Sequence, residues 1–237
     1  MRSALVAGLV LASSTSLAAP HPARLRDRTA VSVMPARSRS AFDALARDGW
    51  RASWDRDTGV PARLWGSYVD APGSTTDGAV AERIARQFLA QHLDLLAPGA
   101  RLADFVVVAN QLDADIRTVG FSQTYRGVPV VGGQLGFVFA HDRLFAIGSS
   151  AWPDIVAAPT SKTHVILPQV SNGAIAYHAA SITEDREWRV YRDADGRELA
   201  RESRINTASG TLEYNVGVRY AGGTRADVGA PTANITV

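Results

Sequence analysis

Residues 119–139 carry the clearest alternation in the chain. Val119, Phe121, Gln123 and Tyr125 fall on one face of an extended segment, and Gly120, Ser122 and Thr124 on the other, the pattern of a half-buried strand. Arg126-Gly127-Val128-Pro129 follows, where glycine permits a positive φ and proline removes a donor, so an interruption of pairing is expected there. Gly127 and Pro129 are expected to shape a bulge, with Tyr125 filling the core and its hydroxyl partnered. Alternation resumes past Gly132-Gly133 with Leu135, Phe137 and Phe139, predicting a second, antiparallel strand. Gln123 is in line with apolar neighbours, which predicts a buried amide whose hydrogen bonds are satisfied.

Upstream, residues 52–54 and 60–65 flank a turn-rich Asp55-Arg56-Asp57-Thr58-Gly59 and predict a hairpin, with Trp50, Trp54 and Trp65 as its large apolar contributions. Asp77 is placed to cap a helix over about 79–96, along which Val80, Ile84, Phe88, Leu89, Leu93 and Leu96 form one stripe while Glu82 and Arg86 pair on the other side. Pro98-Gly99 ends it. Residues 102–109 read as a short apolar strand, 110–115 as a turn, and 144–147 as a strand returning after His141-Asp142-Arg143. One long helix against an antiparallel meander is an α+β layer. Beyond the linker-like 157–161, residues 164–167, 174–182, 187–191 and 198–203 read as strands of a smaller antiparallel module, and 211–220 as strand-like.

Composition changes this picture little. The chain of 237 residues is 46% hydrophobic and 20% charged, with a formal net charge of +2, ordinary globular values that allow one or two domains. Lys162 is the sole lysine, and the arginines are scattered without interleaved aromatics, which argues against a nucleic-acid surface. Residues 1–19 read as an export signal: Arg2 as the charged region, 4–12 as the apolar run, and Ser16-Leu17-Ala18 as the cleavage site. The run is too short to span a bilayer, so the expected location is secreted or periplasmic, with no membrane association after cleavage. Residues 20–41 read as a flexible leader, with order beginning near Phe42. The chain has no cysteine, which excludes disulfides, a thiol nucleophile and thiolate-held metals.

Candidate chemistry is sparse. His21, His92, His141, His164 and His178 are far apart and none stands in a zinc-ligand spacing. Asp193-Ala194-Asp195-Gly196 opens like a calcium loop but has no later ligands, so a hairpin turn is expected. Gly132, Gly133 and Gly136 open no helix, which disfavours phosphate binding, and Asp113 with Asp115 reads as a solvated turn. There is no His-Glu-x-x-His, nucleophile elbow or P-loop, and no cofactor is expected.

The run Phe121, Gln123, Tyr125, Gly127, Pro129, Gly132, Gly133, Leu135 resembles the signature of the fungalysin/thermolysin propeptide domain, the pro-region of secreted zinc metallopeptidases. The run around Trp188, Val190, Tyr191, Asp193 and Gly196 resembles the strand portion of a PepSY module, although 156–163 leaves no room for that module's usual first helix. The resemblance implies a cystatin-like sheet on the helix over 42–152, a shortened PepSY-like β module over 157–205, and a junction over 206–237 towards a protease domain. It further implies a non-catalytic intramolecular chaperone and inhibitor whose partner is a metallopeptidase catalytic domain, in cis in a longer precursor or in trans. On this reading the chain is a piece of a longer reading frame or a shortened product. Arg204-Ile205 and Thr211-Leu212 are the candidate processing sites. The alternatives are a freestanding exported inhibitor or binding module and, more remotely, a hydrolase of unrecognised constellation.

Overall fold

The computed structural model describes residues 29–204 and, beyond them, the backbone of four short strands. In chain order the elements are β1 (Ala30–Val31), α1 (Arg39–Arg47), β2 (Arg51–Asp55), β3 (Pro61–Trp65), β4 (Val69–Asp70), α2 (Gly78–Gln91), α3 (Leu93–Leu96), β5 (Phe105–Asp113), β6 (Ile116–Tyr125), β7 (Val128–Ala140) and β8 (Arg143–Ser149). There follow β9 (Val165–Ser171), β10 (Ala174–Glu184), β11 (Trp188–Arg192) and β12 (Glu198–Ser203). The last four strands are β13 (Ser209–Glu213), β14 (Gly217–Arg219), β15 (Arg225–Asp227) and β16 (Thr232–Thr236); β13 pairs with β16 and β14 with β15. The fold is α+β, with a large, mostly antiparallel sheet and few helices. The expected signal over 1–19 and most of the leader lie outside the described residues. Among those described, no helix is long and apolar enough to cross a membrane.

Order begins earlier than Phe42. β1 pairs with β2, and α1 starts inside the expected leader because Phe42 and Leu45 reach the core, where Phe42 meets Trp54 edge to face at 5.3 Å. The β2–β3 hairpin forms as predicted, yet only Trp50 and Trp54 are buried; Trp65 is paired with Arg51 on the other face of β3 and is 37% exposed.

The helix expected over 79–96 is two helices. Asp77 does cap α2, accepting from the N–H groups of Ala79 at 2.8 Å and Val80 at 3.4 Å. His92 then leaves helical geometry (φ −124°, ψ 27°) and the chain restarts as the single turn of α3. The residues of α2 packed tightest are Ala81, Ala85, Phe88 and Leu89 rather than the large β-branched pair Val80 and Ile84. Alanines let the helix lie close on the sheet, where Phe88 meets Phe137 at 6.3 Å.

Residues 110–113, expected in a turn, continue β5, and only Ala114-Asp115 makes the connection, Ala114 with φ of 52°. Asn110 therefore points from a strand, and its amide donates to the Gly78 carbonyl at 2.8 Å. Beside it Arg117, 8% exposed, donates to the Thr75 carbonyl at 3.2 Å, the Thr76 carbonyl at 3.4 Å and the Asn110 amide oxygen at 3.1 Å. A buried guanidinium thus satisfies carbonyls that precede α2 and would otherwise lack partners. A Cβ on Gly78 would sit 3.1 Å from both Arg117 and Asn110, which would have to give by a few tenths of an ångström to admit it.

The strands run β5-β6-β7-β8-β3-β2-β1 across the helix-backed part, with β4 pairing with β8. The core between them is built on Phe121, Leu135, Phe137, Phe139, Leu144 and Ile147. β9 joins β7 through a single parallel pair, Val130 with Ile166, and carries β10, β11 and β12 beyond it over a second, smaller core around Leu167, Ala180, Tyr191 and Ala200.

Candidate functional site

The signature residues gather at one irregularity. Arg126 and Gly127 both have positive φ, 51° and 81°, and form a two-residue hairpin turn, so Tyr125 still pairs with Val128 and Thr124 with Pro129. The expected interruption lies beyond them. Between the pairs Thr124–Pro129 and Ser122–Gln134, Gln123 alone stands opposite four residues, Val130, Val131, Gly132 and Gly133. The surplus releases Val130 from β6 to meet Ile166 of β9. Gly127 and Pro129 therefore shape the turn, while Gly132 and Gly133 belong to the bulge. Tyr125 is half-buried beneath the Arg126 guanidinium, which stands 5.4 Å from the ring centre, and is not a core residue.

Gln123 fills the opening. It is 1% exposed, and its amide is satisfied twice by one residue: Oε1 accepts from the Trp152 N–H at 2.8 Å and Nε2 donates to the Trp152 carbonyl at 2.9 Å. The side chain acts as a one-residue strand partner for the segment leaving β8. Gly133 is required beside it, because a Cβ there would come within 2.7 Å of Gln123 Oε1 and 2.9 Å of its Cβ. Gly132 has φ of 71°, and its carbonyl accepts from Ser150 Oγ at 2.9 Å. Trp152 donates its indole N–H to the Val131 carbonyl at 2.9 Å and meets the Tyr177 ring edge to face at 6.5 Å. The Tyr177 hydroxyl donates to the Pro153 carbonyl. Bulge, Trp152-Pro153 and β10 thus form one junction between the two strand sets.

Phe121 and Leu135 pair across β6 and β7 and lie in the core. In the second set Tyr191 is buried, with its hydroxyl donating to Glu202 at 3.1 Å, and burial followed by the Glu202 charge pushes its pKa up. Trp188 is half-buried under the Arg201 guanidinium at 5.4 Å, and Val190 is also half-buried. The Asp193 carboxylate accepts from the N–H groups of Asp195 at 3.0 Å and Arg197 at 2.9 Å, closing a turn in which Gly196 has φ of 80°. Arg204 is anchored, its N–H donating to the Glu187 carbonyl and its guanidinium to the Asp185 carbonyl, each at 2.7 Å. Ile205 lies outside the described residues; Thr211 and Leu212 lie in the backbone of β13.

Trp152, Tyr177, Arg117 and Asn110 have roles that alternation did not reveal. A tryptophan beside Pro153, in a stretch with no other period, was the available signal for the first. Among the described residues no cluster of three His, Asp or Glu side chains could hold a metal ion.

No family model matches this chain, and no curated protein does. Among solved structures it is similar to a bacterial one. That structure is the Bacillus megaterium YpeB C-terminal domain, at 14% identity over 66% of this chain and 77% of that one, with a TM-score of 0.32. At so slight a likeness no property of the neighbour is carried over.

Proposed function

We propose that this chain is the non-catalytic pro-region of a secreted or periplasmic thermolysin- or fungalysin-like metallopeptidase, acting as folding chaperone and inhibitor of the catalytic domain. On this reading the helix-backed sheet is cystatin-like and β9 to β12 are a shortened PepSY-like module. The observation that carries it is the convergence of Gln123, Gly132 and Gly133 on Trp152. The residues behind the resemblance make one interlocked device, so the signature reads as a structural unit and not as scattered coincidence. A partner that binds the native enzyme stabilises it by mass action, and a tether raises its effective concentration to about millimolar.

The test is refolding and activity of a thermolysin-type catalytic domain with and without the purified chain. Expected are a higher yield of active enzyme and stoichiometric inhibition. Unchanged yield and unchanged activity would refute the proposal. A second reading, a freestanding module acting in trans, is favoured by the anchoring of Arg204, which ties down the backbone entering one candidate cut site.

A further inference from the structure

The helices back one face of the sheet, where Leu64, Phe121, Phe137 and Ile147 are buried. The opposite face shows a different chemistry. Ala109 of β5 pairs with Gly120, Gly120 with Gly136, Gly136 with Gly148, and Gly148 with Arg63 of β3. Three glycines in register remove the side chains from a row running across the strands and leave a groove of about 410 Å³. Four strand spacings of about 4.8 Å make the row roughly 19 Å long, the reach of about six extended residues.

The two ends of the row differ. At the β5 end Val106 and Val108 are 51% and 62% exposed. At the β3 end Arg63 and, two strand positions along β2, Arg51 are exposed, and neither has a carboxylate partner among the described residues. β2, β3 and β5 to β8 contain two carboxylates in all: Asp55, which is buried in its own turn, and Asp113, at the far tip of β5. The face is therefore apolar at its β5 end and carries both arginines, beside the exposed Trp65, at its β3 end, with no carboxylate from these strands to balance them.

We propose that this groove docks an extended polypeptide segment of a partner protein, with apolar side chains over Val106 and Val108 and a carboxylate at Arg63. The proposal rests on the reading of the chain as a protein-binding module. The glycine row lets the incoming backbone lie close to the sheet, and the arginines set its direction.

The test uses the isotope-labelled full chain and two synthetic eight-residue peptides, both apolar in one half, one with glutamates and the other with lysines in the second half. The glutamate peptide is expected to shift the amide signals of Gly120, Gly136 and Gly148, and the lysine peptide to leave them unchanged. Arg63→Glu and Gly136→Phe should each weaken binding by about tenfold or more. A Cβ at Gly136 meets nothing within 4 Å, so the new side chain starts in the open space of the groove. Unmoved glycine signals, equal response to both peptides, shifts confined to the free edge of β5, or signals that move with protein concentration alone would each overturn the proposal. Peptidase inhibition that is unchanged in both variants refutes this surface and leaves the pro-region reading standing. Binding of the glutamate peptide by a chain with no effect on the peptidase does the reverse.

Discussion

At the scale of the residue, the bulge shows how one side chain can replace a strand. Gln123 spends both ends of its amide on the backbone of Trp152, and Gly133 leaves the space that allows it. Gly133→Ala should cost about 1–3 kcal/mol through overpacking. Gln123→Ala should cost about as much, because its two hydrogen bonds to the Trp152 backbone are lost. The two losses should not add in full: the methyl group introduced at position 133 would meet Gln123 Oε1 at 2.7 Å, an atom the second variant removes, although the Cβ at 2.9 Å stays, and a coupling of about 0.5–3 kcal/mol is expected from a double-mutant cycle read by urea unfolding. Additive losses would place the clash on the retained Gln123 Cβ and not on its amide oxygen. Alternation puts Gln123 correctly on the buried face, but its partner lies 29 residues away, and nothing local names it.

At the scale of the element, the break between α2 and α3 is the clearest departure from periodicity. The apolar stripe runs unbroken through Leu93 and Leu96, so the pattern alone reads as one helix. The break occurs where His92 packs against Phe88, ring centres 4.4 Å apart and tilted at 46°, and the chain turns to bury Leu95 and Leu96. Burial lowers the His92 pKa from its ordinary value near 6.5, with the Asp48 charge opposing. A folded-state pKa below the unfolded one means that the neutral ring is favoured by folding. This contribution is complete above about pH 6.5 and is lost as pH falls from there through the lowered folded value. The urea midpoint should therefore fall between pH 7.5 and pH 5, and His92→Gln should flatten that fall. An identical fall in the variant would assign the pH dependence elsewhere. The carboxyls of Asp142 and Glu184 do not confuse the window, since the backbone N–H groups of Gly73 and Thr75, and the Arg189 guanidinium, hold them below the usual carboxylate range.

At the scale of the whole molecule, two strand sets share one sheet path through the single pair Val130–Ile166, reinforced by Trp152 and Tyr177. Cooperativity between the sets depends on this narrow junction. Tyr177→Phe removes the hydroxyl bonded to Pro153 and should cost about 0.5–1.5 kcal/mol. Hydrogen exchange should show faster opening in β9 to β12 with protection of β6 to β8 retained. Uniform loss across both sets would mean that the junction is stronger than its contacts suggest. The uncovered face also belongs to this scale, because its glycine row exists only when β5, β6, β7, β8 and β3 are aligned.

Local chemistry alone was enough for the α+β class, the Asp77 cap, the hairpin after Trp50, the meander from β6 to β8 and the turn at Asp193, since each depends on neighbours a few residues apart. It could not give the order in which strands assemble, the four-against-one bulge, or the meeting of Arg117 with Thr75. Those depend on contacts between distant segments, and such contacts are selected by the packing of the whole core. Alternation tells which face of a strand is buried. Only the folded chain decides what covers that face and what the other face is left to bind.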